Sequence, residues 1–412
     1  MTKVAILSFP GNNCEIGSIR AIERNGMTPM FFRWNDDPAK FREANAYFIP
    51  GGFSYEDRGR SGMIAARDPV IEVIKEEAAK GKVVIGICNG AQVLVECGLI
   101  PLNKELRMSL ARNAIGDCAP GFLNEWVWIK PTCKPDRCAT SNWTEPMQIP
   151  IAHGEGRFTT NDKNLYEELK KNDQIAFSYC DESGNVSDDP IVTPNGSMYA
   201  IAGICNPEGN VIALMPHPER TRDGDPYFES MKQWIESHAS HAVETSRRDV
   251  CTGDAGAMQI QSREPKGTEI FIDTIIVNNE ERTVEQAAHR NIPSLRLKQL
   301  KYISIPENDP KGILDTIALF NANKEVAYIR RGDKFTKWNA DAKQEEDTES
   351  PLLGGISLLR RDTPDTGAAG LKKGSQTGVC YVCSEVEENK LMNPGVLEIF
   401  ANPHASILEV LV

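Results

Sequence analysis

The sequence contains no run of eighteen apolar residues, so no hydrophobic helix is expected to cross a membrane. Positive charge is in deficit: 46 Lys and Arg stand against 58 Asp and Glu, a net charge of −12, which argues against nucleic acid or an anionic membrane surface as a partner. Cysteine is sparse for 412 residues, and the eleven present are odd in number and irregularly spaced. They do not read as a disulfide scaffold and suit a reducing cytoplasm. No G-x-x-x-x-G-K-[ST] motif occurs, and Gly370-Leu371-Lys372-Lys373-Gly374-Ser375 has the right residue types at the wrong spacing. ATP chemistry is therefore expected in a partner chain. The first residues, MTKVAILSFPGNN, lack the layout of a secretory signal and read as a first strand. What is present is ordinary for a globular protein, 40% hydrophobic and 25% charged, long enough for two or three domains.

The most informative stretch is Lys82 to Leu99, KVVIGICNGAQVLVECGL. Val83 to Ile87 is apolar and β-branched, as in a strand buried on both faces. It runs into Gly86-Ile87-Cys88-Asn89-Gly90, after which Val93, Leu94 and Cys97 take up helical spacing. A strand turning sharply into a helix at G-x-C-x-G has the build of a nucleophile elbow, with cysteine where serine enzymes carry serine. Glycines flank the turn because a neighbouring Cβ would clash. The helix N-terminus under the sulfur favours thiolate over thiol. Taken alone, Cys88 reads first as a buried structural cysteine, and the motifs in the rest of the chain reverse that reading.

Strands are expected at Val4–Phe9, Met30–Trp34 and Tyr47–Pro50, and helices at Cys14–Arg24 and from Asp68-Pro69 to Lys80. Asp68 reads as an N-cap with Pro69 at the first helical position. This alternation predicts an α/β fold, a doubly wound and mostly parallel sheet, with chemistry at the carboxyl ends of strands. Gly51-Gly52 and Cys88 fall at such ends. The amides after Gly51-Gly52, together with that of Asn89, are placed to hold an oxyanion. From 100 to 210 the chain is rich in turns and is expected to be antiparallel in part. Val211 to Met215 is a further buried strand, ending in Pro216-His217-Pro218-Glu219-Arg220. In an extended segment Glu219 lies on the same side as His217, where a carboxylate takes the proton of one imidazole nitrogen and leaves the other as a base. Cys88, His217 and Glu219 would then form a nucleophile, base and orienter.

Pro50-Gly51-Gly52-Phe53-Ser54-Tyr55, Gly86-Ile87-Cys88-Asn89-Gly90, Ala152-His153-Gly154-Glu155-Gly156-Arg157-Phe158 and Pro216-His217-Pro218-Glu219-Arg220 occur in that order. Over 1–240 they resemble the class I glutamine amidotransferases. More narrowly, they resemble the glutaminase subunit of phosphoribosylformylglycinamidine synthase, a purine-biosynthesis enzyme. The resemblance implies a flavodoxin-like fold and glutamine as substrate. Cys88 would attack the side-chain amide, His217 would shuttle the proton, and Glu219 would orient His217. The amides of Gly52 or Phe53 and of Asn89 would hold the oxyanion, and Gln92 and Asn113 are candidates for binding glutamine. It also implies no cofactor in this chain, with ATP and magnesium in a partner synthetase subunit that converts formylglycinamide ribonucleotide to formylglycinamidine ribonucleotide with the ammonia released. An amidotransferase serving another acceptor and a non-catalytic regulatory module stay as alternatives. The pattern departs from many relatives at Glu56, where they have glycine, within a charged loop that also holds Asp57, Arg58 and Arg60 and is expected to be solvated.

Residues 241–267 read as a linker, and 268–412 as a smaller α+β domain. Its expected elements are strands at 269–277, 295–305 (with a bulge), 326–329, 356–359, 379–382, 397–400 and 407–411, and helices at 283–290 and 310–320. Residues 339–351 are expected to be a mobile loop. The β-α-β-α-β order is that of small ferredoxin-like units. Leu319 to Tyr328, LFNANKEVAY, is similar to the end of the small bridging subunit (PurS) of the same synthase, which would make the chain a fusion of two subunits; an unrelated α+β appendage is the competing reading. Cys380 and Cys383 have the spacing of a metal knuckle, but only His404 lies nearby. Cys133 and Cys138 meet the same objection, so no metal site is expected.

Overall fold

The computed structural model describes residues 1–116, 118–238 and 260–412, and divides into Met1–Ala255 and Gly256–Val412. The first unit opens with β1 (Lys3–Ser8), α1 (Glu15–Arg24), β2 (Thr28–Arg33), α2 (Pro38–Phe41), β3 (Ala46–Ile49), α3 (Pro69–Ala79), β4 (Val83–Ile87) and α4 (Asn89–Glu96). There follow β5 (Ser109–Ala111), β6 (Leu123–Pro131), β7 (Met147–His153), β8 (Arg157–Thr159), α5 (Leu165–Lys171), β9 (Ile175–Cys180), β10 (Ile201–Cys205), β11 (Val211–Leu214) and α6 (Asp225–His238). Nine strands form one sheet in the order β2-β1-β3-β4-β11-β10-β9-β6-β7, while β5 and β8 pair separately. From β2 to β11 neighbouring strands run parallel, and from β11 to β7 they run antiparallel.

The buried apolar runs explain the centre of this sheet. Every residue of β3, β4 and β11 is buried, as strands covered on both faces require. Asp68 caps α3 by accepting from the Val70 amide at 3.1 Å, with Pro69 behind it. The parallel strands therefore deliver the Pro10–Cys14 turn, Gly51-Gly52, Cys88 and His217 to a single edge of the sheet, the carboxyl edge, next to the strand-order reversal at β1 and β3.

The expected linker falls largely outside the described residues, although 261–263 form a strand. The second unit runs β12 (Gln261–Arg263), β13 (Thr268–Thr274), α7 (Asn279–His289), β14 (Arg296–Ile305), α8 (Lys311–Leu314), β15 (Glu325–Arg331), β16 (Lys334–Asn339), β17 (Gln344–Asp347), β18 (Ile356–Asp362), β19 (Gln376–Ser384), α9 (Glu388–Leu391), α10 (Pro394–Phe400) and β20 (Ser406–Leu411). The predicted β-α-β-α-β order holds from β13 to β15, but the whole is one nine-stranded sheet, β12-β20-β18-β19-β14-β13-β15-β16-β17.

Several expectations fail here for local reasons. Residues 397–400 lie in α10, not a strand. Asn393 accepts from the Gly395 amide, Pro394 takes the first position, and Val396, Leu397, Ile399 and Phe400 bury one helical face. The helix expected over 310–320 ends at Leu314, and a Thr316 turn follows, with the Leu319 and Phe320 amides bonded to the Thr316 carbonyl. β14 has no bulge: it pairs without interruption from Arg296↔Ser384 to Ser304↔Gln376. The loop expected over 339–351 instead contributes a hairpin strand, β17. Cys380 and Cys383 are three apart on β19, so they face opposite sides of the sheet and cannot share an ion.

The register of this second sheet reveals an internal repeat that the sequence did not announce. β13 is flanked antiparallel by β14 and β15, and β18 by β19 and β20. The order β15-β13-β14 then β19-β18-β20 reads the same from either end. The match extends to single residues. The Asn321 side chain accepts from the Asn323 amide, and the Asn402 side chain from the His404 amide. Their carbonyls accept from Lys324 and Glu325 in one half and from Ala405 and Ser406 in the other. The Ile275 amide bonds to Lys324 O at 2.9 Å just as the Thr363 amide bonds to Ala405 O at 2.8 Å. The halves join through β14 and β19. Lys301 pairs with Val379 across the join, and each pairs with its counterpart strand at Ile272 and Arg360 respectively.

Candidate active site

Cys88 sits on a left-handed backbone (φ 52°, ψ −109°) between β4 and α4, a conformation that L-residues adopt only under restraint. The restraint is visible: its amide donates to Leu214 O at 2.8 Å, and its carbonyl accepts from the Gln92 amide at 3.1 Å. The sulfur lies at the N-terminus of α4 and 3.7 Å from Ala152 O. The elbow predicted from G-x-C-x-G is present.

His217 is fully buried, its amide tied to Pro150 O at 2.9 Å. Its Nδ1 lies 2.6 Å from Glu219 Oε1, while Nε2 has no hydrogen-bond partner. The pairing arises differently from expectation. Pro218–Arg220 is a single 3₁₀ turn, not an extended segment, and the turn rather than strand alternation brings Glu219 under the ring. A Cβ added to Gly51 would lie 2.8 Å from His217 Cε1 and 3.2 Å from Cys88 Cβ, so the imidazole and the cysteine flank one small space at the end of β3. Burial disfavours charge on the imidazole, but Glu219 and Cys88 outweigh it and raise the His217 pKa to about 9.

An unfolded histidine titrates near 6.5, so this shift stabilises the fold fully below about pH 6.5, and the contribution is lost as pH rises through about 9. Glu219→Gln removes the stronger source of the shift. Urea midpoints of the native chain should fall across that window, and those of Glu219→Gln should fall distinctly less. Equal falls in the two proteins would show that the pair does not set the imidazole's charge.

The expected oxyanion donors separate. Gly52 has φ +131° and a Cβ there would meet Asn13 N at 2.6 Å, so only glycine fits. The Phe53 amide, by contrast, already donates to Gly11 O at 3.1 Å, which removes Phe53 from the set. The Asn89 amide is at the first position of α4, where no intrahelical acceptor exists.

The two candidates for binding glutamine are engaged elsewhere. Gln92 donates to Glu155 O and accepts from Asn89 Nδ2. Asn113 donates to Gly121 O and His153 O and accepts from the Gly156 amide. Both brace the 153–156 loop with no side-chain group left over, because the loop's glycine-rich backbone needs side chains to satisfy it.

Four residues not singled out from the sequence line the same region. His153 is buried with both ring nitrogens unpartnered, and burial, then His217, push its pKa down to about 3, so it is neutral. Asp57 accepts from Asn89 Nδ2 at 3.2 Å; burial, then Glu155, raise its pKa to about 7. Glu155 accepts from the Ser61 amide at 3.2 Å. Cys14, just before α1, lies 3.2 Å from Arg220 Nη2 and would touch a Cβ on Gly51. The motif AHGEGRF was the signal for His153 and Glu155. Nothing local marks Cys14 or Asp57, which fold in from loops. The charged loop is not simply solvated either: Arg60 holds Glu96 through two hydrogen bonds, at 2.8 and 2.6 Å, with both side chains largely covered. Glu56 is left-handed (φ 58°), between Tyr55 and Asp57 in the same region, a place that favours glycine.

The profile of the family described as "CobB/CobQ-like glutamine amidotransferase domain" matches residues 1–244. The chain is similar to the phosphoribosylformylglycinamidine synthase subunit PurQ of Methanothrix thermoacetophila, 40% identical over 261 residues, covering 58% of this chain and 100% of that protein. It is also similar to subunit PurQ of Pyrococcus furiosus, 36% identical over 245 residues, with 58% and 100% covered. Among solved structures, a chain in the structure of PurLQS from Thermotoga maritima is 30% identical with a TM-score of 0.46, covering 57% of this chain and 99% of that one.

Proposed function

This chain belongs to the CobB/CobQ-like glutamine amidotransferase family, and from that premise we propose that it is the glutaminase of a phosphoribosylformylglycinamidine synthase. The observation that carries the reading is the buried His217–Glu219 pair, 2.6 Å apart, beside the Cys88 elbow. The raised pKa of the imidazole lets His217 Nε2 hold the Cys88 proton before the sulfur attacks the side-chain amide carbon of glutamine. The Gly52 and Asn89 amides take the negative charge on the amide oxygen. Collapse expels ammonia, which receives the proton from His217, and leaves a glutamyl thioester on Cys88. Water, deprotonated by the same imidazole, releases glutamate. Glu219 holds the ring in one tautomer and stabilises its charged form.

The ammonia is used by a synthetase subunit, where ATP and magnesium activate the acceptor amide. The family relatives are named as subunits of that synthase. The many free thiols suit the cytoplasm, and among the described residues no helix is long and apolar enough to cross a membrane. We assign residues 268–412 the bridging role of the small synthase subunit, on the likeness of LFNANKEVAY and on its recurrence, as the same asparagine turn, in the second half of the sheet.

The test is glutamine hydrolysis and ammonia transfer by the chain with the synthetase. Removing residues 256–412 should leave hydrolysis measurable while transfer falls sharply. Undiminished transfer would remove the bridging role, and transfer only to a different acceptor would favour the alternative amidotransferase.

A further inference from the structure

Cys14 has no part in the chemistry above, yet its sulfur, a His217 ring nitrogen and a Glu219 carboxylate oxygen all lie within 4.8 Å of one another, and all three residues are buried. Three further observations concern the same space. Glu219 Oε2 is buried without a hydrogen-bond partner, so an oxygen lone pair is available once a cation enters. The Cys14 side chain makes no capping bond to α1; its thiol donates to Asn13 Oδ1 at 3.3 Å instead, a bond that ion binding would exchange for one to the metal. Arg220 lies across the group, with Nη2 3.2 Å from Cys14 Sγ and Nε 3.9 Å from Glu219 Oε1, and its side chain is 36% exposed. It is both the competing cation and the part of the wall nearest solvent.

One thiolate, one imidazole and one carboxylate make a donor set suited to a borderline-soft divalent ion, with a fourth position left for water. Hard ions that prefer all-oxygen sites are poorly matched to it. We infer that Cys14, His217 and Glu219 form a binding site for a thiophilic divalent cation of the Zn²⁺ type, on the Glu219 side of the imidazole, distinct from the Cys88 sulfur. Binding releases two protons to solvent, the Cys14 thiol proton and the Nδ1 proton of the charged imidazole, leaves Nε2 protonated, and replaces the His217–Glu219 hydrogen bond with bonds to the ion. An imidazole held by a cation is a poor base, so an occupied site stops glutamine hydrolysis. The site would make the enzyme sensitive to free zinc without using the nucleophile. The inhibition rests on the glutaminase reading, but the binding does not.

The two can be measured apart. Co²⁺ titrated into the full chain should give a thiolate-to-cobalt charge-transfer band in the near ultraviolet. Cys14→Ala should lose that band, while Cys88→Ala, inactive, should keep it. Zn²⁺ should inhibit hydrolysis by the native chain, and Cys14→Ala should hydrolyse glutamine normally without metal and require roughly tenfold more Zn²⁺, or beyond, for the same inhibition. Arg220→Gln should tighten Co²⁺ binding by removing the competing charge. A band that vanishes in Cys88→Ala and survives in Cys14→Ala would place the ion on the nucleophile and overturn the assignment. So would unchanged zinc sensitivity in Cys14→Ala, or Co²⁺ affinity indifferent to Arg220. Absence of glutaminase activity with the Cys14-dependent band intact would count against the glutaminase reading alone.

Discussion

Cys88→Ala is expected to lower glutamine hydrolysis by roughly 10⁴-fold or more, because no thioester can form without the sulfur. His217→Ala should cost a comparable factor, and the double variant little beyond either single one. Groups that act in one step do not contribute independently. Cys88→Ala removes a single sulfur from a buried side chain, so its melting temperature should stay near the native value, separating lost chemistry from lost fold. The decisive measurement is steady-state glutamate release by the chain docked to its synthetase. Retained hydrolysis in Cys88→Ala would remove the proposed nucleophile, and additive losses in the double variant would mean that Cys88 and His217 serve different steps.

Gly90→Ala should be among the most damaging single methyls in the first unit. Its Cβ would lie 1.9 Å from Ile49 O and 2.7 Å from Ile49 C, backbone atoms at the end of β3 that cannot swing aside. α4 would have to move off the sheet, carrying the Asn89 amide and Cys88 with it. Overpacking of this kind costs about 3 kcal/mol, or roughly 6 °C or more in the melting transition of a unit this size. Thermal melts followed by near-ultraviolet dichroism would read it, with glutamine hydrolysis falling below detection even where the fold survives. A variant that melts with the native chain would show that α4 does not approach β3 as closely as described.

The same methyl illustrates how much of the site could be read directly from the sequence. The elbow could be, because G-x-C-x-G encodes a local backbone problem: a strand, a helix and a sharp turn with no room for side chains. The chemistry at 217–219 could be too, although its geometry could not. Strand alternation and a 3₁₀ turn both set Glu219 near His217, and only the folded Pro218 turn chooses between them. Phe53 was beyond reach because its fate depends on Gly11, which β1 brings alongside. Gln92 and Asn113 looked like substrate ligands because their types suit glutamine, and the need to satisfy the backbone of the 153–156 loop claims them instead.

In the second unit, short-range signals misled wherever a few apolar residues allowed either strand or helix. At 397–400 the cap at Asn393 and Pro394 settled the matter, and at 310–320 the Thr316 turn cut the helix short. The doubling of the β13–β15 module was hidden because its halves share a hydrogen-bond pattern more than a residue pattern.

By itself the sequence determined the class of fold, the sulfur, the imidazole and the carboxylate, because buried runs, paired glycines and a cysteine at a strand end are local constraints written residue by residue. Tertiary structure alone decided which amides face the amide substrate, which polar side chains are consumed by the scaffold, and that Cys14 shares a space with His217 and Glu219. Those outcomes depend on loops from β1, β3, β4, β7 and β11 converging at one edge of a sheet, and distances between chain segments are fixed by packing rather than by any neighbouring residues in sequence.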